Sequence, residues 1–116
     1  MIKTKTITPK LSANALTKHV LYLLKMKGVF AWRQNNGGVY DPTKKVFRAN
    51  SSMRGVPDII GYKNTDGAKF IAIEIKVGKD KLSIHQDTFL NNLNKAGGIG
   101  RVIRNLEDLE NLIKEL

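Results

Sequence analysis

Two short runs decide how this chain folds: Gly55-Val-Pro-Asp-Ile-Ile-Gly-Tyr62 and Lys69-Phe-Ile-Ala-Ile-Glu-Ile-Lys-Val77. Val56 to Tyr62 reads as a strand, with Pro57 at its start, where a missing N–H is tolerated. Asn64-Thr-Asp-Gly67 is a tight-turn signal. Lys69 to Val77 is the strongest strand pattern in the chain. One of its faces, Ile71, Ile73, Ile75 and Val77, is wholly β-branched and reads as core. The other, Phe70, Ala72, Glu74 and Lys76, begins apolar and ends in two charges. If the two strands pair, Asp58 comes to the same end of the sheet as Glu74 and Lys76.

Working outward, Ser12 reads as the N-cap of a first helix in which Leu16, Val20, Leu23 and Leu24 recur at helical spacing, with Gly28 as its stop. Val29 to Arg33 reads as a strand with Phe30 and Trp32 on one face, and Trp32 is read as core packing. Gln34-Asn-Asn-Gly-Gly38 is a turn signal, followed by hairpin-like segments around Asp41-Pro-Thr-Lys44. Downstream, Ser83 fits an N-cap, and Gln86 stands where a capping box would place it. Gln86, Phe89, Leu90 and Leu93 share one stripe of that helix. Gly97-Gly98 ends it, Ile99 to Ile103 reads as a strand, and Asn105 caps a last helix. The expected architecture is α/β, a mixed sheet flanked by helices in the order α-β-β-β-β-α-β-α. The helix before Ile99 supplies a crossover of the size a βαβ unit needs.

At 116 residues with 41% hydrophobic composition, the expected organisation is a basic tail over 1–10 and one domain over 11–116. The chain has no cysteine, which excludes a disulfide framework and a thiolate zinc site. No apolar run approaches a bilayer-spanning length, so the expected location is the cytoplasm. The net charge is +10, and its distribution is uneven. Residues 1–57 carry eleven Lys and Arg against one acid, Asp41, while residues 58–116 carry nine of each sign. That asymmetry points to a polyanionic partner, nucleic acid before membrane.

Phosphodiester anions repel an attacking hydroxide. A hard divalent cation on oxygen ligands relieves that repulsion and generates a nucleophile near neutral pH. Glu74 and Lys76, at i and i+2, project from one strand face, and the Ile75 backbone carbonyl lies between them as a further candidate ligand. Pro57-Asp58 and Glu74-Ile-Lys76 each occur once in the chain as Pro-Asp and Glu-x-Lys. Charges are seldom spent on such apolar strands without use. The plainer alternative is a rim ion pair between Glu74 and Lys76, with Asp58 capping a turn.

Pro57-Asp58 … Glu74-Ile-Lys76 resembles the signature of the PD-(D/E)xK nuclease superfamily. Trp32-Arg33-Gln-Asn-Asn-Gly37, Gly55-Val-Pro-Asp58-Ile-Ile-Gly61, Ser83-Ile-His-Gln86 and the Ala96-Gly-Gly strand entry narrow the likeness. The chain is similar to a stand-alone, phage-like VRR-NUC (virus-type replication–repair nuclease) domain. That resemblance implies a restriction-endonuclease-like core, dependence on Mg2+ or Mn2+, and cleavage of DNA, often branched. It also implies a homodimer, as in junction resolvases. Asp58 and Glu74 become metal ligands, Lys76 the group that orients water, and Gln86 the helix glutamine beside the site. Family members carry a glutamate in the first helix. Here no acid precedes Asp41, and Asn14 takes that place as a further candidate ligand. Arg33, Asn36, Arg48 and Arg54 are expected on phosphates. A DNA-binding module of the same fold that does not cut is the alternative.

Overall fold

The computed structural model describes residues 10–34, 39–48, 53–65 and 67–116, with the backbone alone at 39, 40, 47 and 48. Most of the basic tail read over 1–10 therefore lies outside the described residues. Helix α1 (Ala13–Met26) starts where the Ser12 hydroxyl accepts from the Ala15 N–H at 3.1 Å. Its stripe of Leu16, Val20 and Leu24 is fully buried. Strands β1 (Val29–Arg33), β2 (Val39–Asp41), β3 (Val46–Arg48), β4 (Ile59–Lys63) and β5 (Phe70–Ile75) follow. Helix α2 (Ile84–Lys95), strand β6 (Ile99–Ile103) and helix α3 (Leu106–Glu115) complete the order.

The main sheet runs β1-β4-β5-β6. β1 and β5 lie antiparallel to β4, and β6 lies parallel to β5 through the α2 crossover. The mixed sheet between helices is the one expected. The segment around Asp41 resolves into two strands, β2 and β3, which form a small antiparallel sheet of their own and add one strand to the expected order. The Asp41 carboxylate accepts from the Thr43 and Lys44 N–H groups and closes their turn.

Register assigns every side chain to a face. On one face Val29, Ile59, Ile71, Ile73, Ile75, Ile99 and Ile103 pack with α1 and with Leu109 and Leu112 of α3. The expected β-branched face of β5 is therefore the core face. The opposite face lies in three rows. Phe30, Tyr62 and Phe70 form the first. Trp32, Ile60, Ala72 and Gly100 form the second. The third holds Glu74 and Val102, and strand alternation adds Asp58 to it. Helix α2 packs on β5 and β6 here. It can approach because the second row ends in small residues: a Cβ on Gly100 would lie 2.9 Å from the Leu90 carbonyl oxygen.

Two expectations change. The strand read from Val56 begins at Ile59, because Pro57 has no N–H to give a ladder; the last bond to β1 at this end runs from the Gln34 N–H to the Asp58 carbonyl at 2.6 Å. Trp32 is not core. It is 43% exposed, since β1 is the sheet edge and α2 covers the other half of that face.

Candidate active site

The third row lies beneath the first turn of α2. Its centre is Glu74, only 2% exposed on a strand whose neighbours are isoleucines. Glu74 Oε1 accepts from the Gln86 side-chain amide at 3.3 Å, and the Lys76 ammonium stands 3.9 Å from the same oxygen. Glu74 Oε2 is buried with no hydrogen-bond partner. Burial pushes the Glu74 carboxyl up to about 8. The Asp58 carboxylate beside it pushes the same way, while Lys76 pulls back. A buried carboxylate facing a second carboxylate holds a proton or a cation between them.

Asp58 reaches this point from the bend before β4. Its carboxylate accepts from the Ile75 N–H at 3.0 Å. The Lys76 N–H turns the other way, to the Ile103 carbonyl. In a trans peptide the Ile75 carbonyl then points away from β6, toward the side from which Asp58 approaches. Lys76 lies one residue past the end of β5, largely covered, its side chain 16% exposed.

Gln86 performs both roles read from the sequence. Its side-chain oxygen accepts from the Ser83 N–H at 2.9 Å, and the Ser83 hydroxyl accepts from the Gln86 N–H at 3.1 Å, so the capping box is complete. The amide nitrogen of the same side chain is left to hold Glu74. The cap thus fixes the orientation that points the donor at the acid.

The structure brings Asp58, Glu74, Ile75, Lys76 and Gln86 together. The Asn14 side-chain oxygen, the atom that would ligate, accepts from Arg33 at 3.1 Å. Arg33 is paired in register with Ile59, so this pair sits on the side of the sheet that α1 covers. Arg54 is exposed. Asn36 and the Arg48 side chain lie outside the described residues. Among the described residues no three His, Asp or Glu side chains cluster as a metal site. The two carboxylates, the orphaned Glu74 oxygen and the Ile75 carbonyl still suit one hard divalent cation.

Sequence reasoning missed two contributors. Gln34 ties β1 to the site through its N–H to the Asp58 carbonyl. Gly55 lets the chain pass against the start of α2, where a Cβ would lie 2.3 Å from the His85 carbonyl carbon. A glycine just before Val-Pro-Asp was the available signal for that close approach.

A mixed α/β sheet with two acids and a lysine gathered at one end is the arrangement of a nuclease-type domain. Residues 41–105 match the family model of the VRR-NUC domain, more than half of the chain, and the protein belongs to that family. Its general activity is nuclease-type chemistry on DNA. The matched span contains Asp58, Glu74, Lys76 and Gln86, and it leaves out α1 and β1. No curated protein and no solved structure matches the chain. No helix among the described residues is long and apolar enough to cross a membrane.

Proposed function

We propose that the protein is a divalent-metal-dependent DNA endonuclease that hydrolyses phosphodiester bonds in branched or structured DNA, acting as a homodimer in the cytoplasm. The observation that carries this reading is the buried Glu74 carboxylate, with one oxygen unpartnered and Asp58 and Lys76 beside it. Asp58, Glu74 and the Ile75 carbonyl would hold Mg2+ or Mn2+, which would polarise the phosphoryl group and lower the pKa of water. Lys76 orients the attacking water and steadies the charge that develops on the phosphate. Gln86 holds Glu74 in place, and the Ile75 N–H holds Asp58. The basic first half grips the phosphates. Two copies related by a two-fold axis would cut both strands of a symmetric junction.

A second reading, DNA binding without cleavage, draws on one observation. The first helix contributes no acid, and the Asn14 oxygen is engaged by Arg33. One panel separates the two. Purified protein with Mg2+ or Mn2+ is given a four-way junction, a flap, a nicked duplex and a plain duplex. Cleavage that is greatest on the branched substrates and lost in Asp58→Asn and Lys76→Ala supports the first reading. Salt-sensitive binding without cutting of any of them supports the second.

A further inference from the structure

Phe30, Trp32, Tyr62 and Phe70 are 62%, 43%, 38% and 40% exposed on the open half of the sheet face that carries Asp58 and Glu74. Three of the rings meet, and Phe70 lies beside Tyr62 in register. Phe30 and Trp32 meet edge-on with centroids 6.0 Å apart, and Phe30 and Tyr62 lie tilted at 5.5 Å. Strand geometry places the Trp32 row about 7 Å from the row of Glu74, and the Phe30–Tyr62–Phe70 row about 7 Å further on. Trp32 is also tied to the site. Its indole N–H donates to the Gln34 side chain at 3.3 Å, and the Gln34 N–H donates to the Asp58 carbonyl.

Large aromatic rings left on a surface mark a binding face. The charge around them selects the occupant. β1, β4 and residues 69–73 contain no acid, so no carboxylate from these strands opposes an anion on this face. A second copy of this face, from a chain of net charge +10, would bring like charges together. A polyanion whose bases present flat π faces suits both the rings and the net positive charge of the chain.

We infer that this aromatic face binds unpaired nucleobases of a DNA strand entering or leaving the candidate active site. The substrate class is thereby DNA with unstacked bases beside the cut, not continuous duplex. The inference rests on the nuclease reading for the position of the cut only, and base binding is read separately.

Trp32 is the only tryptophan in the chain, so its fluorescence reports the platform directly. Full-length protein is titrated without divalent metal against a single-stranded oligonucleotide, the same strand made abasic, a forked duplex and a blunt duplex. Affinities come in parallel from the anisotropy of end-labelled DNA. The base-bearing strand and the fork should quench Trp32, while the abasic strand and the blunt duplex should bind without quenching it. Trp32→Ala and Tyr62→Ala should each weaken single-strand binding by about tenfold. Trp32→Phe should keep most of that affinity, and matching far-UV circular dichroism checks that each variant folds. Equal quenching by base-bearing and abasic strands overturns the inference. So does a concentration-dependent dimer, seen by sedimentation, that Trp32→Ala abolishes, because a second copy would then own the face. Base-dependent quenching in a protein that cuts nothing with Mg2+ or Mn2+ upholds the platform and removes the endonuclease reading alone.

Discussion

The carboxylate of Asp58 accepts a hydrogen bond from the backbone N–H of Ile75 at 3.0 Å, across the end of the β4–β5 pair. That bond places one acid against the residue lying between the other acid, Glu74, and Lys76. Asp58→Asn keeps an oxygen that can accept from Ile75 and removes only the charge. It should fold with less than about 1 kcal/mol of loss and lower metal-dependent cleavage on the order of 10²–10³-fold. Asp58→Ala also orphans the Ile75 N–H and should cost about 1–3 kcal/mol in addition. Urea unfolding beside a cleavage assay separates the two variants. Equal cleavage by Asp58→Asn and wild type would remove Asp58 from the metal site.

Glu74 supplies a pH dependence of stability. Its carboxyl is raised from 4.5 to about 8 in the folded protein, with burial the largest cause. Between those values the folded state binds more protons than the unfolded state, so unfolding free energy falls as pH rises. The contribution is complete below about pH 4.5 and gone above about pH 8. Metal-free protein should therefore show a denaturation midpoint that drops across this window. Glu74→Gln should flatten the drop. Added Mg2+ or Mn2+ should stabilise most at the alkaline end, where the carboxylate is ionised. A flat wild-type profile in chelator would sink this assignment.

Gln86 joins a helix cap to the acid, and two variants divide the roles. Ser83→Ala removes the hydroxyl that caps α2 and should cost about 1 kcal/mol, with cleavage nearly unchanged. Gln86→Ala removes one cap bond and the amide on Glu74. It should cost a similar amount and lower cleavage a further 10- to 100-fold. If both variants lose cleavage in proportion to stability, Gln86 serves the helix alone.

Much of this is legible before the structure, for physical reasons. Ser12, Ser83 and Asn105 are caps whose side chains bind the first turn of their own helix, so local sequence specifies them. Glu74 and Lys76 stand out because charge is costly on a buried apolar strand. What remained hidden depends on contacts between distant segments. Alternation puts Phe30 and Trp32 on one face, but only the placement of α2 over β5 and β6 decides that this face stays open at β1. The pairing of Asn14 with Arg33 likewise needs α1 docked beside β1, 19 residues apart in sequence. The Gln34 N–H that reaches the Asp58 carbonyl also needs β1 docked on β4.

Gly55 tests how tightly the site depends on the seat of α2. Its φ is +79°, in the left-handed region, and a Cβ there would lie 2.3 Å from the carbonyl carbon and oxygen of His85 and 2.7 Å from the Gln86 nitrogen. The obstacle is backbone, which cannot rotate aside as a side chain can. Gly97 offers the comparison. Its φ is +98°, yet nothing lies within 4 Å of where its Cβ would be. Gly97→Ala should therefore carry only the conformational penalty of about 1 kcal/mol and leave cleavage intact. Gly55→Ala carries that penalty and also displaces the first turn of α2, drawing the Gln86 amide away from Glu74. It should cost about 2–4 kcal/mol and reduce cleavage at least tenfold at a temperature where the variant is fully folded. Paired thermal melts and cleavage rates decide it. If the two alanine variants lose equal stability and neither loses activity, the seat of α2 on Gly55 does not position the site.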